Sequence, residues 1–547
     1  MYEELKGAVQ AAAKKLFDAD IEPELTRPEE KFGDYATNAA LQLAKKTAAA
    51  PQQIARQLVN ELKNTPGVAS ADVAGPGFIN FKLTDEKLAE AAFSATDLPK
   101  SLAGKEVLVE FGDPNPFKEM HIGHLYSYIV GDSISRLLQS QGADVKRLSY
   151  HGDVGLHVAK AIYGLRSLQG QAEQGETIDQ ENYLGKAYAD GNNKYEEDPA
   201  AKEEIDQINI QIYDKSDSGI NQLHEQGSKL SFDYFDKILD LLSISTDRRY
   251  LESETIEPGV KAVKDNVGKV FKESQGAIVY EGEKAGLHTR VFITSKDLPT
   301  YEAKDLGLTE LKNKDYPNAA RSIIITANEQ SEYFKVMLAA LAEINPQLAA
   351  KTKHMAHGFL SLSTGKMSSR TGKVYPAMQL LLEVKDAVHK QYPDSPVQKE
   401  ASLASVKYGF LKHRLGGDIV LDVEEAVSLE GNSGPYLQYA YARARSIAAK
   451  SDKHPQKTDN KFDQSERSLV RKISEYPEVV AKAAAELMPH HICTYLYELA
   501  QTFNSFYEKS RIIGDDREDT RLQLVNVYSQ VLKDGLILLN ITAPERM

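Results

Sequence analysis

The chain of 547 residues holds a single cysteine, Cys493, and no uninterrupted apolar run long enough to cross a bilayer. One thiol excludes an intramolecular disulfide framework and any cysteine-rich zinc site. A signal peptide keeps its charge ahead of an apolar stretch, and a transit peptide avoids acids. The N-terminus MYEELKGAVQAAAKKLF does neither, mixing acids and bases through its apolar positions. The expectation is a protein of a reducing cytoplasm with no membrane partner. No internal repeat of fixed period is present. The make-up is otherwise that of a soluble globular protein, with 41% hydrophobic and 27% charged residues, and the length calls for two to four domains. The net charge of −13 argues against nucleic acid only weakly, because a phosphate backbone responds to local basic patches rather than to the whole-chain sum.

Composition shifts divide the chain into three regions, 1–99, 100–417 and 418–547. The first opens on a helical pattern (Leu5, Val9, Ala12, Leu16), repeats it near Ala36–Lys46 and again after Pro51, and closes on the strand-like FINFKL at Phe78–Leu83. That is a small α+β module. The second region starts with KEVLVEF (Lys105–Phe111), a helix from about Gly123 to Ser140 and the strand VKRLSY. This βαβ unit predicts an α/β fold with a parallel, doubly wound sheet. A polar, helix-prone stretch of about 165–255 reads as an insertion, after which the sheet pattern resumes at Val291–Ser295 and Ser322–Ala327. The third region is all-α, interrupted by the polar segment Lys450–Arg467, which reads as a flexible connector. In its helix after Pro489 the stripe Leu496, Leu499, Ala500, Phe503, Phe506 and Tyr507 is a bundle core whatever the function.

Two motifs carry chemistry. His121-Ile122-Gly123-His124 follows the first parallel strand at the opening of its helix. There the strand's carboxyl end and the helix's unpaired N–H groups favour a phosphate ligand. A lone HxGH is weak, since such histidines often serve as caps or surface groups. Gly365-Lys366-Met367-Ser368-Ser369-Arg370-Thr371-Gly372 is a small cationic loop suited to charge developing on pyrophosphate, although alone it reads as a solvated turn. Together the two resemble the paired signature of class I aminoacyl-tRNA synthetases.

Nearly the whole chain resembles the arginyl-tRNA synthetases. Their V-E-x-S-x-P-N-x-x-K-x-x-H-x-G-H is matched by VEFGDPNPFKEMHIGH, with Gly112-Asp113 departing in between. HGDVG (His151–Gly155) is similar to their HxGDWG, with Val154 for tryptophan and His157 where glutamine is common. YEAKD supplies Tyr301 and Asp305. Ala327–Ser331, Glu430–Arg443, the terminal ITAPERM and the first region's FGDYATNAALQLAK and AGPGFINF are also close.

The resemblance implies a Rossmann-type catalytic domain flanked by an N-terminal tRNA-binding module and a C-terminal anticodon-binding domain. ATP and Mg²⁺ take part, and the partners are arginine and tRNA(Arg), served by a monomer. It places His121, Gly123, His124, Lys118, Lys366, Met367, Ser368, Ser369 and Arg370 at ATP. Glu110, Asn115, Tyr301, Asp305 and Gln330 fall at arginine; Arg443 and Arg445, on one C-terminal helix, are expected at tRNA. No residue is assigned as a metal ligand. The chemistry agrees, since a planar guanidinium with five fixed donors needs rigid, partly desolvated carboxylates. Serine at position 369 departs from the general KMSKS loop, whose second lysine contacts the triphosphate. The resemblance makes Lys118 its substitute and implies that arginine activation waits for tRNA. A synthetase for another amino acid would have no use for the acids Glu110 and Asp305. A non-catalytic tRNA-binding paralogue tends to lose the phosphate motifs, and a generic nucleotidyltransferase needs no RNA-sized flanking domains.

Overall fold

The computed structural model describes residues 1–47, 49–173, 183–363, 375–451 and 461–547. In the first region, helices Tyr2–Phe17, Ala39–Thr47 and Pro51–Leu62 cover an antiparallel sheet. Its strands lie in the order Leu25–Thr26, Tyr35–Thr37, Phe78–Leu83, Val68–Ala74. Leu5, Val9, Leu58 and Phe81 meet in its core.

The central sheet has five parallel strands: β1 (Glu106–Glu110), β2 (Asp144–His151), β3 (Arg248–Leu251), β4 (Ala319–Ala327) and β5 (Thr352–His357). They lie side by side as β3-β2-β1-β4-β5. Val107, Leu108 and Val109 of β1 and Ile323, Ile324 and Ile325 of β4 are buried on both faces, so these strands read as continuous apolar runs. Strand order reverses between β1 and β4, which opens a crevice at their carboxyl ends. The helix Ile122–Ser140 leaves β1 at that crevice.

Several sequence expectations need correction. Residues 291–293 do not join the parallel sheet; Arg290–Ile293 pairs antiparallel with Ala277–Tyr280 in a separate three-stranded sheet built on Phe271, Tyr280 and Phe292. The helix-rich stretch between β2 and β3 comprises Leu156–Glu173, Tyr183–Glu197, Pro199–Asp214 and Ser218–Leu242, so β3 falls inside what reads as insertion. Ile419–Leu421 is a strand paired in parallel with Leu360–Leu362, which ties the start of the third region to the second.

The other described elements of the third region are helices: Val423–Val427, Gly434–Ala448, Gln464–Ser474, Tyr476–Glu486, His490–Lys509 and Glu518–Leu538. The apolar stripe after Pro489 is core, with Phe503 stacked on Tyr528 at 3.9 Å. Residues 452–460 of the polar segment lie outside the described residues; its end departs from the reading as connector, because Gln464–Arg467 begin a helix capped by the Asp463 carboxylate. Arg467 then bridges to Asp34 (2.8 Å) and Asp85 (3.1 Å) of the N-terminal module, and Arg27 pairs with Glu478 at 2.7 Å. Among the described residues no helix is long and apolar enough to cross a membrane.

Candidate active site

His121 is the N-cap of helix Ile122–Ser140. Its Nδ1 accepts from the backbone N–H groups of Gly123 (3.1 Å) and His124 (3.4 Å), and the His124 Nδ1 accepts from the His121 N–H (3.3 Å). This is a capping box built from two imidazoles, stacked at 3.6 Å. With both Nδ1 atoms accepting, each ring carries its proton on Nε2 and offers it as a donor. Burial first, and then His357, pushes the His121 pKa down to about 4. Burial and His121 push His124 well below the usual histidine range. The pair is therefore neutral at pH 7, at a helix N-terminus that itself favours anions.

Lys118 is half-buried and makes no ion pair among the described residues; its Nζ lies 4.8 Å from the Tyr188 ring centroid. Burial, then the charge of Lys160, lowers its pKa. A desolvated cation without a counter-ion, beside a helix N-terminus, is suited to a phosphate. Lys366, Met367, Ser368, Ser369 and Arg370 lie outside the described residues. The flank beyond them is pinned to the histidine motif: the Ile122 N–H donates to Tyr375 O (3.0 Å) and the Ala377 N–H to Met120 O (2.8 Å).

Across the crevice lies a nest of carboxylates. Glu110, the last residue of β1, is ion-paired with Lys312, each side chain 4% exposed. Lys312 and Asp305 stand seven residues apart on helix Tyr301–Asp315 and so share one face. That helix packs tightly on Glu252–Lys264 because Gly259 and Gly307 meet there. A Cβ at Gly259 would stand 2.1 Å from Ala303 O, and one at Gly307 2.2 Å from Thr255 O. Glu252 is spent on Lys304 (2.6 Å) and Glu302 on Arg290 (3.0 Å). Asp305, 8% exposed, makes no hydrogen bond or ion pair with its carboxylate among the described residues. Burial, reinforced by Glu110, holds its carboxyl well above the usual range. The same causes raise Asp113, whose Oδ1 accepts from the Tyr150 N–H at 2.7 Å. Four carboxylates (Glu110, Asp113, Glu252, Asp305) thus share the nest with two ammonium groups, Lys312 and Lys304, each already paired with an acid.

Tyr301 is 65% exposed at the rim, with Lys304 Nζ 5.1 Å from its ring. Asn115 accepts from the Gly152 N–H (3.0 Å), and Gln330 is exposed in the turn Asn328–Gln330 after β4. His151 and Asp153 are scaffold: His151 bridges Pro114 O (2.7 Å) and Ser149 Oγ (2.9 Å), while Asp153 accepts from Ser253 N (2.9 Å) and Oγ (2.6 Å). The sequence reading missed Lys312, the Glu252–Lys304 pair and Tyr150, whose hydroxyl bonds Thr255 Oγ1 at 3.0 Å. Only the seven-residue spacing from Asp305 could have flagged Lys312. In the C-terminal region the two arginines diverge. Arg443 lies 4.5 Å over the Tyr507 ring and reaches Asn504 (3.4 Å), whereas Arg445 is paired with Glu545 (2.8 Å).

Three family models match the chain: the arginyl tRNA synthetase N terminal domain over 3–83, the tRNA synthetases class I (R) catalytic domain over 88–404, and the DALR anticodon binding domain over 437–547. The arginine–tRNA ligase of Shewanella loihica is 30% identical, covering 98% of this chain and 97% of that relative. That of Bdellovibrio bacteriovorus is 29% identical over 98% and 95%. The Thermus thermophilus arginyl-tRNA synthetase superposes over the full length of both chains with a TM-score of 0.85 at 28% identity. The Plasmodium falciparum enzyme shares the fold, with a TM-score of 0.84 at 21% identity. A sheet that opens between β1 and β4, a neutral histidine pair at one side and an acid-rich nest at the other accord with these matches: the chain belongs to the class I arginyl-tRNA synthetases, the arginine–tRNA ligases.

Proposed function

We propose that Asp305 is the acceptor for the arginine guanidinium and that His121, His124 and Lys118 hold the ATP phosphates. The observation that carries this reading is the buried Asp305 carboxylate, left without a partner while every other acid of the nest has one. Glu110 shapes the pocket through Lys312, Tyr301 supplies a ring at the rim, and Asn115 and Gln330 serve the amino-acid end. The arginine carboxylate attacks the α-phosphorus of ATP, the bond to the bridging oxygen breaks, and pyrophosphate leaves. The 2′-hydroxyl of the tRNA terminal adenosine then attacks the arginyl carbonyl and AMP departs. The protein contributes positioning and fixed dipoles, with Nε2–H donors on the phosphates. Lys366, Met367, Ser368, Ser369 and Arg370 would act on the same phosphates, and Gly123 would leave room for the nucleotide.

Mg²⁺ belongs to this reading as the companion of ATP, because a hard cation suits phosphate oxygens. Among the described residues no group of three or more His, Cys, Asp or Glu side chains is placed to hold a metal. Residues 1–99 form a tRNA-binding module, 100–417 the catalytic domain and 418–547 the anticodon-binding domain, in a cytoplasmic monomer. Arg443, with Tyr507 beside it, offers a stacking platform for an unpaired base, whereas Arg445 is committed to Glu545. ATP–pyrophosphate exchange with each of the twenty amino acids, with and without tRNA(Arg), tests the pocket. Arginine alone should support exchange, and exchange with an apolar amino acid would overturn the assignment of Asp305.

A further inference from the structure

Between β1 and helix Ile122–Ser140 the chain runs through residues 111–120 without regular secondary structure, and Phe117, fully buried, has φ +65°. A bulky aromatic residue in the left-handed region is strained and persists only where its surroundings over-determine it. Those surroundings come from the helical stretch between β2 and β3. On helix Ser218–Leu242, Gly227 leaves a notch for the Phe117 ring, since a Cβ there would stand 2.1 Å from Cε1. One turn on, the buried Ser231 Oγ accepts from the Phe117 N–H at 2.8 Å and donates to Gly227 O at 2.7 Å. One turn back, the His224 ring lies 5.7 Å from the Phe117 ring, and its Nε2 is bonded to Asp153 O (2.7 Å). Positions 224, 227 and 231 fall on one face of the helix. A second helix of the same stretch, Tyr183–Glu197, places Tyr188 under the ammonium of Lys118, the residue that follows Phe117.

We propose that the Gly227–Ser231 socket of the helical insertion is a positioning element for the ATP site, holding Phe117 left-handed so that Lys118 faces the triphosphate. The inference rests on the reading of Lys118 as a phosphate ligand. With its N–H unpaired, Phe117 relaxes toward negative φ, which turns the next peptide and carries the Lys118 side chain away from the histidine pair. Gly227 and Ser231 touch no substrate; they act through Phe117.

The test is a double-mutant cycle on the full-length enzyme, read by ATP–pyrophosphate exchange with arginine and tRNA(Arg) present. Ser231→Ala removes one buried acceptor, and the expected result is a fall of about tenfold in kcat/KM for ATP with KM for arginine changed by less than about twofold. In a Lys118→Ala background the same substitution should cost less than about twofold. Gly227→Ala, which forces the ring from its notch, should show the same ATP-specific split. Equal losses from Ser231→Ala in the presence and absence of Lys118 would overturn the socket's role while leaving Lys118 as a ligand. So would wild-type ATP kinetics in folded Ser231→Ala and Gly227→Ala enzymes. Undiminished exchange in Lys118→Ala would remove the Lys118 reading and the socket with it.

Discussion

Replacing Asp305 by asparagine changes one oxygen for a nitrogen and removes one charge, with almost no change in volume. The pocket makes that change selective. Lys312 is already spent on Glu110 and Lys304 on Glu252, so Asp305 loses no protein partner when it becomes neutral. What it loses, on the proposed assignment, is the guanidinium. A charge-assisted hydrogen bond in a buried site is worth about 2–4 kcal/mol once the stranded donor is included, or one and a half to three decades in kcat/KM. The empty enzyme should respond in the opposite sense. Burial holds the folded carboxyl above its unfolded value, so protonation favours the fold. Stability of the wild type then falls as pH rises from the unfolded value, near 3.9, to the folded one. Asp305→Asn should remove that loss and melt no lower than wild type at pH 7. Exchange kinetics at varied arginine and at varied ATP, with tRNA present, separate the two ends of the site. The fall should appear with arginine and leave KM for ATP within about twofold. Near-wild-type kcat/KM for arginine would refute the assignment. So would a drop accompanied by a lower melting temperature, which would make Asp305 structural.

Arginine binding should release a proton, because the guanidinium reverses the raised pKa of the free site. KM for arginine is expected to climb by up to about tenfold per pH unit below that raised value. A KM flat across the acid range would contradict it. Lys118→Ala should cut exchange by about two decades even with tRNA present, leaving a measurable residual rate, while the wild type should stay near background until tRNA is added. Robust exchange without tRNA would refute that dependence and leave the enzyme class intact. Arg467→Ala removes the closer of two arginines at the fully buried Asp34, leaving Arg471 at 3.5 Å and the Leu83 N–H at 2.7 Å, and should cost about 2–3 kcal/mol on denaturant unfolding. A loss below about 1 kcal/mol would show that the N-terminal module does not depend on this pair.

What could be read from the sequence was whatever depends on local pattern. β1 and β4 are legible because a strand buried on both faces is an apolar run, and the histidine motif because it sits at the turn into a helix. Arg290–Ile293 shows the limit, since its apolar residues look the same in a parallel sheet and in an antiparallel one. Strand β3 has the sequence RRYL, and its arginines hide it; the Arg248 guanidinium lies over the Tyr250 ring at 4.5 Å, and Arg249 pairs with Asp236. Charge in the segment up to Arg467 reads as solvated, yet Glu466 is fully buried between Arg517 (2.5 Å) and Arg521 (2.9 Å). Composition cannot separate a solvated charge from a paired one. The left-handed Phe117 is invisible for a related reason, because only its neighbours on a distant helix make the conformation tolerable.

In the proposed assignment the two ends of the site solve opposite electrostatic problems, and this accounts for histidine at the phosphate end. A helix N-terminus supplies a positive field without a formal charge. Protonated imidazoles added to it would repel Lys118 and each other in a buried space. Capping removes that option, since both Nδ1 lone pairs are occupied by backbone N–H groups and the one remaining proton points outward on Nε2. The donors are therefore present at every pH above about 4, the value to which burial pushes His121. Between that value and the unfolded histidine pKa near 6.5, the unfolded chain gains protons that the fold refuses, so stability falls as pH drops through the window. The phosphate donors persist meanwhile. On the proposed assignment, acid loss of activity above pH 4 in the folded enzyme comes from Asp305, and it should appear in KM for arginine before KM for ATP.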